Sequence, residues 1–320
     1  MSNAASEHAP VVALAGGVGA ARFLRGLTEV IAPEEVTAIV NTGDDREFYG
    51  VWVSPDVDIV TYTLADRVDS ERGYGLRGDS FQVVEALGAL GHETWFRLGD
   101  RDFATCQHRS LRLREGLGLA AIADELRRAF GVTTRILPMS ESPCPTRVAL
   151  HDGSVVHFED YMVRDGAPDT VERVDLSAAE AATPSKGVLE AIENADTLIL
   201  CPSNPVVSIG PILALPGVRA ALSAARAPVV AISPIVAGAP VKGPADRLLR
   251  GVGAEVSARG VATLYRDVAD GFVLDQHDAE QSKDIEALGL ATRVTDTLMK
   301  KPGIAASLAR HVLELAAGLR

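Results

Sequence analysis

Val11-Val12-Ala13-Leu14-Ala15 is apolar throughout and runs straight into Gly16-Gly17-Val18-Gly19. From Ala20 to Val30 the pattern turns helical, with Phe23, Leu24, Leu27 and then Ile31 recurring on one face. Strand, glycine turn and helix in that order open an α/β sheet. A strand with one wet face would alternate polar and apolar residues, so this first strand is covered on both sides. Val36 to Val40 repeats the signature and ends at Asn41-Thr42-Gly43-Asp44-Asp45. Leu198-Ile199-Leu200-Cys201 and Val229-Val230-Ala231-Ile232 repeat it again, each followed by a turn rich in Pro, Ser or Gly.

Between these strands the character changes twice. Asp79 to about Phe130 reads as helical, with Phe81, Val84, Leu87, Ile122, Leu126 and Phe130 as its apolar positions. Thr146-Arg147-Val148-Ala149-Leu150 and Val155-Val156-His157-Phe158, around Asp152-Gly153, predict an antiparallel hairpin. Ile304, Leu308, Val312, Leu315 and Leu319 line one face of a closing helix. The fold expected is an α/β, Rossmann-like doubly wound parallel sheet with a smaller inserted α+β region. Residues 11–135 and 170–320 make the nucleotide-binding core and 136–169 the insert. Residues 1–10 read as a flexible N-terminus in which Ser2-Asn3-Ala4 resembles a tag remnant.

The chain has 320 residues, of which 47% are hydrophobic and 23% charged, so a packed core is available and disorder is excluded. Forty-three acids against 31 bases leave a net charge of −12, which excludes broad nucleic-acid binding but not a nucleotide held by one loop. Cys106, Cys144 and Cys201 are odd in number and far apart, which excludes a disulfide framework and fits a reducing cytoplasm. No apolar run reaches the roughly 18 residues that span a bilayer, so no membrane partner is expected.

In parallel sheets, ligands bind outside the carboxyl ends of the strands, and four segments fall there. The Gly16, Gly17 and Gly19 turn lets backbone N–H groups approach an anion, or serves only as tight packing. It is neither a Walker A loop nor G-x-G-x-x-G. Asn41 to Asp45, with Ser54-Pro55-Asp56-Val57-Asp58, offers four carboxylates to a hard cation, or an ordinary set of capping acids. Cys201-Pro202-Ser203-Asn204-Pro205 brackets two side-chain donors with prolines, which favours ligand contact. Ser233-Pro234 leads to Gly238 and Lys242, where the lysine faces either phosphate or water. Tyr49 and Trp52 either stack on a flat ligand or join the core. Cys106 has no adjacent base and reads as packing.

In order and number these segments resemble the 2-phospho-L-lactate transferase family of coenzyme F-420 biosynthesis, also described as phosphoenolpyruvyl transferases. The matching blocks include Leu98-Gly99-Asp100-Arg101-Asp102, Leu137-Pro138-Met139-Ser140, Ser208-Ile209-Gly210-Pro211 and Asp270-Gly271-Phe272-Val273, besides the turns already named. The resemblance implies that a hydroxyl of the deazaflavin Fo attacks the phosphorus of a GDP-linked three-carbon acid, releasing GMP. It implies Mg²⁺ as cofactor, Asp45 and Asp58 as metal-binding and catalytic acids, and Asp44 as neighbour or base. Gly16, Gly17, Gly19, Asn41, Ser203 and Asn204, with Gly238 and Lys242, become nucleotide contacts, Trp52 a wall for Fo, and a homodimer the expected assembly. Two positions depart from the family pattern. Cys106 stands where a histidine is usual, with His108 two residues on, and Ile59 stands where a threonine is usual. A related family of gluconeogenesis factors shares the glycine turn and acidic loop but binds nucleotide sugars as a regulator. The blocks around Leu137 and Pro202 favour the transferase, and the incomplete glycine fingerprint disfavours a dinucleotide oxidoreductase.

Overall fold

A computed structural model of the chain describes residues 10–320. The stretch before Pro10 lies outside the described residues. Pro10 itself belongs to the fold, since its carbonyl accepts the Asp196 N–H at 2.8 Å.

In chain order the strands are β1 (Val11–Ala15), β2 (Val36–Val40), β3 (Arg46–Phe48), β4 (Val51–Val53), β5 (Arg135–Pro138), β6 (Arg147–Leu150) and β7 (Val155–His157). They continue with β8 (Val171–Asp175), β9 (Thr197–Leu200), β10 (Val229–Ile232), β11 (Ile235–Val236), β12 (Ala239–Pro240), β13 (Gly271–Asp275) and β14 (Ala291–Thr295). Seven of them form one parallel sheet in the order β14-β13-β10-β9-β1-β2-β5. The chain leaves β1 towards β2 on one side and returns on the other through β9. The switch of direction therefore falls between β1 and β9.

β1 shows why the sheet is two-sided. Val12 and Leu14 enter one apolar cluster, Val11, Ala13 and Ala15 the other, and all five are buried. Burying each such Val or Leu contributes about 1.5–3 kcal/mol relative to exposure. Helix α1 (Gly17–Leu27) covers the second face with Phe23, Leu24 and Leu27, and the closing helix Ile304–Gly318 packs beside it through Leu308 and Val312.

β6, β7 and β8 form a separate antiparallel sheet in the order β7-β6-β8. The hairpin expected around Asp152-Gly153 is there, with Val148 opposite Val156 and Gly153 at φ 85°. Relative to the insert read as residues 136–169, β5 pairs within the large sheet and β8 within the small one. Between β2 and β5 the chain makes a long excursion. It runs through the β3–β4 hairpin and helices α2 (Pro55–Leu64), α3 (Gln82–Ala89), α4 (Asp100–Arg114) and α5 (Leu119–Ala129).

The glycine turn is a close approach of two backbones. Gly17 sits at φ 69°, in the left-handed region where a side chain is strained. A Cβ on Gly19 would overlap the Pro202 carbonyl oxygen. Gly19→Ala should therefore destabilise the fold by about 1–3 kcal/mol, read as a lower midpoint in urea unfolding. A variant as stable as the parent would show that the turn can retreat from residue 202.

Candidate active site

The acids of the second strand-end turn are assembled by helix geometry. At 100° per residue, side chains two apart on a helix point to nearly opposite sides. Asp56 and Asp58, both in the first turn of α2, accordingly face different neighbours. Asp56 turns to the glycine loop: its Oδ1 accepts the Gly17 N–H at 2.7 Å and its Oδ2 accepts Asn41 Nδ2 at 2.9 Å. Asp58 turns to α4 and pairs with Arg109 through Oδ1. Adjacent Asp44 and Asp45 divide in the same way. Asp44 Oδ1 meets Asn41 Nδ2 at 3.4 Å, whereas Asp45 Oδ2 accepts the Ser54 hydroxyl at 2.6 Å and the Trp52 indole N–H at 3.3 Å. The four carboxylates thus form two pairs.

Around Asp45 and Asp58 the charge is partly balanced. Arg109 is 2% exposed, and it also donates to the Trp52 carbonyl at 3.2 Å. Burial pushes the Asp45 carboxyl up to about 8, against the Ser54 hydrogen bond and the Arg109 charge. Asp58 is raised by burial too, with Arg109 opposing. Asp45 Oδ1 and Asp58 Oδ2 remain buried without a hydrogen-bond partner. The α4 residue Asp102 adds a third acid, accepting the Tyr62 hydroxyl at 2.8 Å and raised to about 7 by burial and then by Asp58.

Around Asp44 and Asp56 there is less compensation. Asp44 stands well above the usual carboxylate range through burial, then Asp56, Glu159 and Asp45. Asp56 is raised to about 6 by burial, against its two hydrogen bonds. Glu159, carried in from the inserted region, is raised to about 8 by burial and then by Asp56. Next to it, Asp160 is tied to Arg46 of β3 at 2.7 Å.

The other expected contacts are mostly engaged within the protein. Ser203 Oγ donates to the Gly16 carbonyl at 2.7 Å, joining the loops after β1 and β9 across the switch point. Asn204 Oδ1 accepts the N–H groups of Val206 and Val207 at 3.0 and 3.4 Å. Asn41 is fully buried; besides the two acids its amide donates to the Val207 carbonyl at 3.3 Å, and its Oδ1 accepts the Gly43 N–H at 2.8 Å. Gly238 lies at φ 72° in the β11–β12 turn. Lys242 Nζ reaches the Gly73 carbonyl at 3.5 Å, and burial and then Arg22 of α1 lower its pKa. Trp52 is half-buried with its ring N–H on Asp45, and belongs to neither the main core nor the aromatic cluster. In that cluster Phe48 stacks on Phe96 at 3.9 Å and meets Trp95 edge-on. His108 lies on the surface beside Glu125, and Ile59 packs in the core.

Arg109, Asp102 and Glu159 are site residues that the sequence reading did not single out. A signal for two of them exists. Asp102, Cys106 and Arg109 follow the i, i+4, i+7 spacing of one helix face, a polar stripe where a core-facing helix should be apolar. Asp102 also walls a small pocket with Arg72, Tyr74, Phe81 and Arg97. The two arginines flank the Phe81 ring at 4.9 and 4.5 Å.

Fold and site define a Rossmann-like α/β protein with its polar centre at the strand ends beside the switch point. A family model for 2-phospho-L-lactate transferase CofD matches residues 11–308, and the chain belongs to that family. It is 43% identical to a phosphoenolpyruvate transferase of Streptomyces griseus, over 97% of this chain and 99% of that one. It is 40% identical to a 2-phospho-L-lactate transferase of Methanosarcina acetivorans, over 95% and 98%. The protein is thus an enzyme of the 2-phospho-L-lactate or phosphoenolpyruvate transferase type. A solved UPF0052 family structure from Bacillus halodurans shares the fold, with a TM-score of 0.65 and 19% identity over 96% of this chain and 99% of that one.

Two outcomes follow from this electrostatics. Arg109→Met leaves Asp58 buried and unpaired, so unfolding stability should fall by about 3–5 kcal/mol, and adding Asp58→Leu should restore part of it. Equal stability of Arg109→Met and parent in urea would refute the pairing. The second outcome concerns pH. A carboxyl whose pKa is raised in the folded state binds more protons folded than unfolded, so stability falls as pH climbs towards that pKa. With Asp45 and Glu159 near 8 and Asp102 near 7, the melting temperature of the metal-free protein should drop between pH 6.5 and 8. A flat or rising profile over that window would contradict the assignment.

Proposed function

We propose that this transferase moves a phospholactyl or phosphoenolpyruvyl group from a GDP-linked donor to a hydroxyl of the deazaflavin Fo, releasing GMP. One observation carries the reading. At the strand ends by the switch point the glycine turn is held by buried Asp56, and the neighbouring buried acids Asp45 and Asp58 keep one unfilled oxygen each, which is an arrangement for a charged phosphate ester and its counter-ion. The glycine turn, Ser203-Asn204 and the Gly238–Lys242 segment are taken as the donor side. The pocket of Arg72, Phe81 and Arg97 is taken as the acceptor side, because Asp102 is common to it and to the Asp58 group.

The residues present fit Mg²⁺. Asp45 Oδ1 and Asp58 Oδ2 are orphaned hard oxygen donors, and the acids together outnumber the two nearby arginines, Arg46 and Arg109. Asp45 and Asp58 would hold the cation, which would neutralise phosphate charge as the reaction proceeds. In the chemical step the acceptor oxygen bonds to the phosphorus bearing the three-carbon acid. The bond from that phosphorus to the bridging oxygen of GMP breaks, and GMP leaves with the electron pair. Asp44 would take the hydroxyl proton only once ionised, because burial and the neighbouring acids Asp56 and Glu159 hold its own proton on, and a bound cation would offset them. Such a transfer depends on positioning and charge neutralisation more than on covalent help. The same reading has the enzyme act as a cytoplasmic homodimer on small molecules; none of its described helices is long and apolar enough to cross a membrane.

Mass spectrometry of the product formed from Fo with each candidate donor tests the reaction. Asp45→Asn and Asp58→Asn should each lower turnover by orders of magnitude and raise the Mg²⁺ concentration needed for half-maximal rate. Near-normal turnover of both at limiting Mg²⁺ would remove these acids from the metal. Stabilisation by UDP-N-acetylglucosamine, with none by GDP or Fo, would favour a regulator instead.

A further inference from the structure

We propose that Asp58, Asp102 and Cys106 form a site for a thiophilic divalent cation of the zinc type, which overlaps the Mg²⁺ position at Asp58 and differs from it in its other ligands. One carboxylate oxygen of each acid and the Cys106 sulfur all lie within 4.8 Å of one another. The convergence has a local cause. Asp102 and Cys106 are one helical turn apart on α4, so they share a face, and Asp58 meets that face from α2. A separate observation points to a missing ligand: Asp58 Oδ2 is buried with no hydrogen-bond partner, while its other oxygen is held by Arg109.

The donor set selects the ion. Two carboxylates and a thiolate suit a borderline-soft metal, whereas Mg²⁺ avoids sulfur. Metal–ligand distances of about 2.0–2.3 Å need the three donors to draw together by roughly an ångström, a side-chain adjustment. The charge closes as well. Two carboxylates and a thiolate carry three negative charges, Arg109 supplies one positive charge, and a divalent cation supplies the other two. Supporting groups are already in place. Arg109 Nη1 lies 3.8 Å from the Cys106 sulfur, and the Tyr62 hydroxyl donates to Asp102 Oδ1 at 2.8 Å. The half-buried Asp102 also walls the small pocket of Arg72 and Phe81.

On binding, the Cys106 S–H bond is replaced by a sulfur–metal bond and the proton leaves to solvent. Because Asp58 serves both positions, a zinc-type ion and Mg²⁺ exclude each other, and that consequence alone rests on the Mg²⁺ reading. The binding test does not. Co²⁺ added to the metal-free protein should give the near-ultraviolet absorbance of a cobalt–thiolate bond, with release of a proton, and Zn²⁺ should abolish the absorbance. Cys106→Ser should lose the absorbance and bind Zn²⁺ more weakly, whereas Cys144→Ser should keep both. If Cys106→Ser fails to fold, Asp102→Asn, which retains the thiol, should weaken the same cobalt signal. Absence of the absorbance in the parent protein, or its survival in Cys106→Ser, would overturn the proposal.

Discussion

The buried ion pair between Arg109 and Asp58 underlies the polar centre of this enzyme. Moving a carboxylate out of water costs several kcal/mol even after relaxation, and only a well-placed opposite charge or a set of hydrogen bonds offsets it. Asp44, Asp45, Asp56 and Asp58 are each only 5% exposed. The protein tolerates them by dividing the load. Arg109 compensates one pair, while the Asn41 amide and the Gly17 N–H compensate the other. What remains uncompensated shows as raised pKa values and two orphaned oxygens. A centre of this kind is kept for what it binds, because apolar residues of the same volume would pack there at lower cost.

The glycine turn adds a second point. Sequence alone offers two uses for Gly16 to Gly19, anion binding and tight packing, and the structure contains elements of both. Gly19 lets the first turn of α1 touch the backbone at Pro202, and Gly17 already presents its N–H to a carboxylate. That carboxylate belongs to the protein's own Asp56. A phosphate at the turn would meet an anion already there, so its charge and that of Asp56 would compete for the same N–H.

The parallel core was legible because its strands are buried on both faces: β1 and β10 are unbroken apolar runs, and β2 and β9 carry one threonine each, Thr37 and Thr197. β5 was harder to place. Arg135-Ile136-Leu137-Pro138 is short and lies just before a hairpin, and nothing local tells an edge strand of one sheet from the start of another. Of the site, the acids could be found by type and position but not by orientation. Their division into two pairs depends on α2 being helical through Asp56 and Asp58, and the partner of Asp58 lies 51 residues away on α4. Ser203 and Asn204 were legible as a special turn, but their hydrogen bonds serve the turn and the neighbouring loop.

The β3–β4 hairpin is built on a small apolar cluster of its own. Phe48, Val51, Val53, Val84, Leu98 and Cys106 pack there, apart from the two large clusters that sandwich the sheet. Cooperative units of a protein open at free energies set by the apolar contacts each holds. A satellite of six buried side chains holds far fewer such contacts than either large cluster, and the hairpin carries Trp52, whose indole N–H donates to Asp45. The acid centre is therefore roofed by the smallest apolar unit of the fold and floored by the largest. On that difference in packing, amide protons of β3 and β4 are expected to exchange sooner than those of β1 and β9.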